Sequence, residues 1–274
     1  MLYEWHWPKE SPRGAIALVH GAGEHCGRYD HVARWLNDAD YAVLGLDLPG
    51  QGHSSGRKGH INRFEDYLPA VDAMLQRLEE LYPGCPRFLY GHSMGGLIVV
   101  RWIQQRSPSP KPGLAGIVLT SPCLALSLDI PPALLRVGAM LELVWPTLSQ
   151  SSRIPASAVS RHPAVVAAYA SDPLVQHRVT VRWAMELQRA MASARSGSAS
   201  FPAPVLILQA GDDRLVSPDA TRAFAQRVEA SDKEYRELAG LYHELHNEPE
   251  REDILSTITS FLDHSLAPGG TSPS

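Results

Sequence analysis

The chain has 274 residues with 25 basic and 29 acidic side chains, and its formal net charge of −4 gives no basic surface for nucleic acid. With 44% hydrophobic residues it can bury a sizeable core, and its length suits a single large α/β domain. Cys26, Cys85 and Cys123 are too few and too separated for a disulfide framework and read as reduced thiols of a cytoplasmic protein, while the twelve histidines follow no zinc-ligand spacing, so neither metal nor cofactor is expected. In chain order, Met1 to Pro8 lacks the basic start and apolar stretch of a signal peptide. Tyr3 to Trp7 alternates like an edge strand, and Gly14-Ala15-Ile16-Ala17-Leu18-Val19 is an apolar run of the kind buried on both faces of a parallel sheet. The glycine-containing loop His20-Gly21-Ala22-Gly23-Glu24-His25-Cys26-Gly27 follows it.

Val32, Trp35 and Leu36 give helical spacing over Tyr29 to Asn37, Tyr41 to Asp47 reads as a buried strand, and Leu48 to Gly56 breaks regular structure. Phe64 to Leu81 is helical, with Leu68, Val71, Leu75 and Leu78 on one side. A strand ending Phe88-Leu89-Tyr90 then leads into Gly91-His92-Ser93-Met94-Gly95-Gly96, and Leu97 to Trp102 continues as a helix. Leu114 to Leu119 is a further strand. From Ser121 to about Arg178 no strand is expected, and seven prolines punctuate short helical pieces. Alternation resumes with a helix from Thr180 to Ala194, a strand at Val205 to Leu208, a helix from Pro218 to Val228, a strand near Glu234 to Leu238 and a helix from Glu250 to His264. The predicted class is α/β, a mostly parallel doubly wound sheet with a helical cap insertion: residues 1–122 and 179–266 form the core, 123–178 the cap, and 267–274 a disordered tail.

Gly-x-Ser-x-Gly between a strand and a helix is the pattern of a nucleophile elbow. The turn is sharp enough that side chains at the glycines would collide with backbone, and the helix N-terminus favours developing negative charge. A nucleophilic serine needs a base oriented by a carboxylate, expected after later strands in the order Ser, acid, His. The loop Gln209 to Val216 offers Asp212 and Asp213, and the loop Ala239 to His246 offers His243 and His246. Either aspartate could reach over the strand end. His243 lies nearer the Gly240 turn, whereas His246 reads as a helix-start or surface residue, and His243-Glu244-Leu245-His246 is one residue short of a zincin motif. The oxyanion donors are expected to be the N–H of Met94 and that of Ala22. A nucleotide-binding alternative rests on Gly21, Gly23 and Gly27 with Asp47 closing the next strand. Against it, the glycine spacing ends one residue long, His20 precedes the turn, and no tyrosine has a lysine four positions on.

Six stretches carry a family resemblance: HGAGEHCGRY at 20–29, DLPGQGHSSG at 47–56, GHSMGG at 91–96, SDPL at 171–174, AGDDRLVSP at 210–218 and YHELHNE at 242–248. Together they resemble the monoacylglycerol lipase branch of the α/β-hydrolases. The resemblance implies Ser93 as nucleophile, Asp213 as acid and His243 as base, with Ala22 and Met94 as oxyanion donors and His92, Arg28 and Tyr169 near the substrate's polar head. It also implies a lipid ester as substrate. The insertion is unusually apolar, with Leu134, Leu135, Met140, Leu141, Leu143, Val144 and Trp145 in one run. Most of that surface is expected to pack on the main domain, the remainder lining an acyl tunnel and touching lipid aggregates as a transient membrane contact. The alternatives are a lysophospholipase or general carboxylesterase, a peptidase of the same fold and a non-catalytic scaffold; the sequence is silent on oligomeric state.

Overall fold

The computed structural model describes residues 1–106, 113–128, 130–152 and 154–267, so all but the first residue of the expected tail lies outside the described residues. Period-2 alternation decides which way each strand's side chains point: in β2 (Gly14–Val19), Ala15, Ala17 and Val19 join one core cluster while Ile16 and Leu18 join another. Both faces of this strand are covered, which is why it reads as a continuous apolar run. The same holds for β3 (Tyr41–Leu46) and β8 (Val205–Ala210), each buried at every position. With β1 (Glu4–Trp7), β4 (Arg87–His92), β5 (Leu114–Thr120) and β9 (Lys233–Leu238) they form one seven-stranded sheet in the order β1-β3-β2-β4-β5-β8-β9. Only β1 runs antiparallel to its neighbour.

One face of the sheet is covered by α1 (Asp30–Asp38) and α8 (Arg251–Leu266), through Val32, Leu36, Ile254, Ile258 and Phe261. The other is covered by α2 (Leu68–Leu81), α3 (Met94–Arg106), α6 (Val181–Ser196) and α7 (Pro218–Arg227), through Val71, Val99, Leu187 and Phe224 among others. The chain leaves β2 toward β3 on one side and returns as β4 on the other. The loops after β2 and β4 therefore part at a topological switch point, which opens a crevice at the carboxyl ends of these strands.

Between β5 and α6 the chain adds no strand to the main sheet; it forms α4 (Pro132–Val144) and α5 (Pro163–Ser171). Contrary to the expectation of no strand here, β6 (Ser149–Ser151) pairs antiparallel with β7 (Arg178–Thr180). Ser149-Gln150-Ser151 has no alternating apolar signal; the pairing is tied by the Arg178 guanidinium, which donates to Ser149 Oγ and to its carbonyl. Contacts to the core hold the segment in place: Gln176 N donates to Gly23 O at 2.7 Å, and His25 Nε2 lies 2.9 Å from Asp172 Oδ2. The expectation that most apolar side chains of this segment pack on the main domain is corrected by α4. Leu124 is buried in the core, but Leu143 and Val144 are 84% and 79% exposed, and Leu134, Val137, Met140 and Trp145 are exposed as well. The reason is geometric: α4 lies over α6 rather than over the sheet, so a mostly apolar helix has only one side covered.

Candidate active site

The loop between β4 and α3 turns so sharply that Ser93 takes a left-handed backbone with φ of 53°, a strained position for a residue with a side chain. Neighbouring glycines make room for it. A Cβ at Gly91 would stand 2.7 Å from Gly95 O, and one at Gly95 would collide with the Val19 and His20 carbonyl oxygens. Ser93 N donates to Thr120 O at 2.9 Å and Ser93 O accepts from Leu97 and Cys123, so the strained residue is held on both sides. Its hydroxyl lies 2.8 Å from His243 Nε2, and His243 Nδ1 lies 2.7 Å from Asp213 Oδ2. All three residues are buried.

This geometry separates the paired candidates. Asp213 Oδ1 accepts the Leu215 and Val216 amides at 2.9 and 3.0 Å, whereas Asp212 is exposed and contributes its backbone N–H to Leu241 O. Burial works against the Asp213 carboxylate, yet the His243 charge and hydrogen bond, with those two amides, hold its pKa below the usual range. Burial likewise opposes a charged His243, but Asp213 outweighs it and raises the imidazole above its ordinary value. His246 does not reach Ser93. It sits in the helical turn Leu245–Asn247, fully buried, its ring stacked 4.6 Å from Tyr29, so its reading as a surface residue is overturned. Neither of its ring nitrogens has a hydrogen-bond partner among the described residues, and burial, followed by the neighbouring imidazoles of His92 and His31, drives its pKa well down.

Ala22 and Met94 flank the serine from the two loops, and among the described residues neither amide donates a hydrogen bond. A cavity of about 510 Å3 opens beside Ser93 and extends beneath α4, within the size range of small-molecule sites. His92 and Tyr169 line it, as do His243 and Ala22. His92 Nδ1 lies 3.1 Å from Thr120 Oγ1, and burial first, then His243, lowers its pKa to about 4. It is therefore neutral beside the reacting groups.

Arg28 is placed differently from the expectation. It does not line the cavity; its guanidinium donates to both Glu244 oxygens at 2.7 Å, also pairs with Glu24, and lies 4.8 Å from the Tyr169 ring centroid. Breaking a buried pair of this kind leaves an uncompensated charge at roughly 3–5 kcal/mol, so Arg28 is not free to turn toward a substrate. Glu24 and Glu244, which do line the cavity, were not singled out from sequence. Burial opposes the Glu24 charge, but Arg28 and the nearby histidines bring its pKa down to about 2. A signal for them existed: each lies inside a loop already chosen, two residues from Ala22 and one from His243.

Asp47 is unavailable to a ribose. It is fully buried, and its oxygens accept from the Cys26 amide, the His53 amide and the Trp5 indole. With His20 and Cys26 it brings metal-type donor atoms within 4.8 Å of one another, but His20 Nε2 accepts the Leu48 N–H and its Nδ1 bonds Gly21 O. The occupied lone pairs make this cluster a tie between two loops.

A family model described as Serine aminopeptidase, S33 (Hydrolase_4) matches residues 10–250. The chain belongs to that α/β-hydrolase family. It is 37% identical over 263 residues to a Bacillus subtilis protein named phospholipase YtpA, covering 96% of this chain and 100% of that one. It is 33% identical over 263 residues to a Mycolicibacterium smegmatis monoacylglycerol lipase, covering 96% and 92%. The crystal structure of Paleococcus ferrophilus monoacylglycerol lipase superimposes with a TM-score of 0.86 at 32% identity, covering 97% of this chain and 99% of that chain. The resemblance read from the six motifs is thus to the right branch of the family. No helix among the described residues is long and apolar enough to cross a membrane.

Proposed function

We propose that the chain is a serine esterase that hydrolyses monoacylglycerols to fatty acid and glycerol through an acyl-enzyme on Ser93. The observation that carries this reading is the unbroken hydrogen-bonded series Ser93, His243, Asp213 opening on one cavity that is mostly apolar, with Glu24, Glu244 and Tyr169 as polar groups in its wall. His243 takes the Ser93 proton as the hydroxyl attacks the ester carbonyl, and Asp213 holds the tautomer and stabilises the charged imidazole. The oxyanion rests on the Ala22 and Met94 N–H groups, glycerol leaves with the proton from His243, and water then releases the fatty acid. Tyr169, His92 and the carboxylates held by Arg28 contact the glycerol hydroxyls.

The charge of this polar end bears on substrate choice. Two carboxylates share one guanidinium, a local excess of negative charge that disfavours a phosphate-bearing head group at Glu24 and Glu244, and Arg214 is the opposing cation in the cavity lining. Each of the four carboxylate oxygens already accepts from Arg28, the Gly21 amide, Tyr29 or Asn247, which fixes the two carboxylates in place for further contact with substrate hydroxyls. Residues 123–178 act as a cap, and the exposed apolar side chains of α4 give the protein a peripheral, transient contact with lipid aggregates from the cytoplasm.

A lysophospholipase reading is favoured by one observation, the phospholipase name of the 37% identical relative. Hydrolysis rates of a monoacylglycerol, a diacylglycerol and lysophosphatidylcholine of the same acyl chain separate the two. The monoacylglycerol is expected to be the fastest. Faster cleavage of lysophosphatidylcholine would favour the second reading, and faster cleavage of the diacylglycerol would remove the monoacyl claim.

A further inference from the structure

One helix on the cavity wall carries a position with no side chain. On α4, Leu135, Gly138 and Glu142 follow one another at i, i+3 and i+7 and are, with Ala139 and Leu141, its less exposed positions. On α6, Val181, Ala184, Met185 and Gln188 repeat at i, i+3, i+4 and i+7 and line the cavity from the other side. Gly138 lines it too, and a Cβ built there would stand 3.0 Å from Met185 Sδ. A glycine inside a helix weakens it, and no positive φ requires glycine at this position. What the missing side chain permits is close approach: the Met185 thioether packs against the α4 backbone where a Cβ would otherwise stand.

Crowding at that contact cannot be relieved by α4 sliding away. One turn on, the buried Glu142 carboxylate receives Arg189 at 2.8 Å and lies 3.3 Å from the Arg182 guanidinium, both from α6. Withdrawing α4 would leave Glu142 buried without its cations. Met185, by contrast, is an unbranched thioether that adapts to the shape beside it.

Resting on the esterase reading of this cavity, we infer that Gly138 and Met185 set the length of acyl chain that is accepted. Recessed against Gly138, the Met185 side chain leaves the cavity open to a long acyl chain. A larger residue at 138 pushes the Met185 side chain into the cavity, and a smaller one at 185 clears it again.

The test is the rate at which Ser93 is labelled by a hexadecyl and by a butyl fluorophosphonate, in wild type, Gly138→Leu and the double variant Gly138→Leu/Met185→Ala. Leucine is a better helix former than glycine, so the first substitution does not threaten α4. The hexadecyl-to-butyl rate ratio is expected to fall by at least about tenfold in Gly138→Leu, the size of effect that a pocket filled by a few methylenes produces. The double variant is expected to regain most of the ratio. A ratio within about twofold of wild type in Gly138→Leu, or no recovery in the double variant, overturns the inference. These probes carry no glycerol, so such a result leaves the monoacylglycerol reading standing, whereas a wild type labelled by neither probe overturns both.

Discussion

Ser93→Ala lowers monoacylglycerol hydrolysis by roughly a million-fold while leaving the fold unchanged, the scale seen when a serine hydrolase loses its nucleophile. The expected loss is large because nothing nearby can take over. Cys123, the thiol that also lines the cavity, is pushed up to about 12 by burial and stays protonated. Residual rate above the uncatalysed reaction would come from the oxyanion donors and binding alone. Structural damage is not expected, since the Ser93 backbone is held by its own N–H and carbonyl bonds and its hydroxyl contacts His243 only at the tip. The check is a comparison of purified wild type and variant in hydrolysis rate and thermal midpoint; a variant with wild-type activity would show that the nucleophile lies elsewhere.

Asp213→Asn gives the second large effect, a fall of about ten-thousandfold in kcat near neutral pH. An amide at this position no longer favours the tautomer that leaves Nε2 free to accept the serine proton. It also changes the pH profile. His243 works as a base only when neutral, and in the wild type Asp213 raises its pKa above the ordinary 6.5, so the rate climbs with pH across a value above 6.5 and is lost below it. Without the carboxylate charge, burial is the dominant influence left and lowers the histidine pKa. The residual activity of Asp213→Asn should therefore rise at lower pH than in wild type. A rising limb at the same or higher pH would contradict the assignment of Asp213 as the partner of His243.

The strands were legible because a parallel sheet covered on both faces demands continuous apolar runs, and Gly14 to Val19, Tyr41 to Leu46 and Val205 to Leu208 supply them. The elbow was legible because steric crowding restricts its flanks to glycine, and Gly91 and Gly95 stand where any Cβ would meet backbone. Strand order is a different kind of information. It depends on packing between elements distant in sequence, and it is what brings the loops after β2, β4, β8 and β9 to one edge. The choice between Asp212 and Asp213 turned on which carboxylate receives the Leu215 and Val216 amides, a matter of backbone direction after β8 that composition does not encode. Arg28 shows the opposite failing: its proximity to the polar end follows from the motif, but its engagement by Glu244 depends on residues 216 positions apart meeting. The exposure of α4 was misread because an apolar helix normally finds cover on all sides, and only the fold reveals that α6 covers one side alone.

Titration with a fluorophosphonate during turnover of a monoacylglycerol tests the central claim most directly. Hydrolysis should fall in proportion to label incorporated, reaching zero at one adduct per chain, with peptide mapping placing that adduct on Ser93. Continued monoacylglycerol hydrolysis by fully labelled protein would contradict the account.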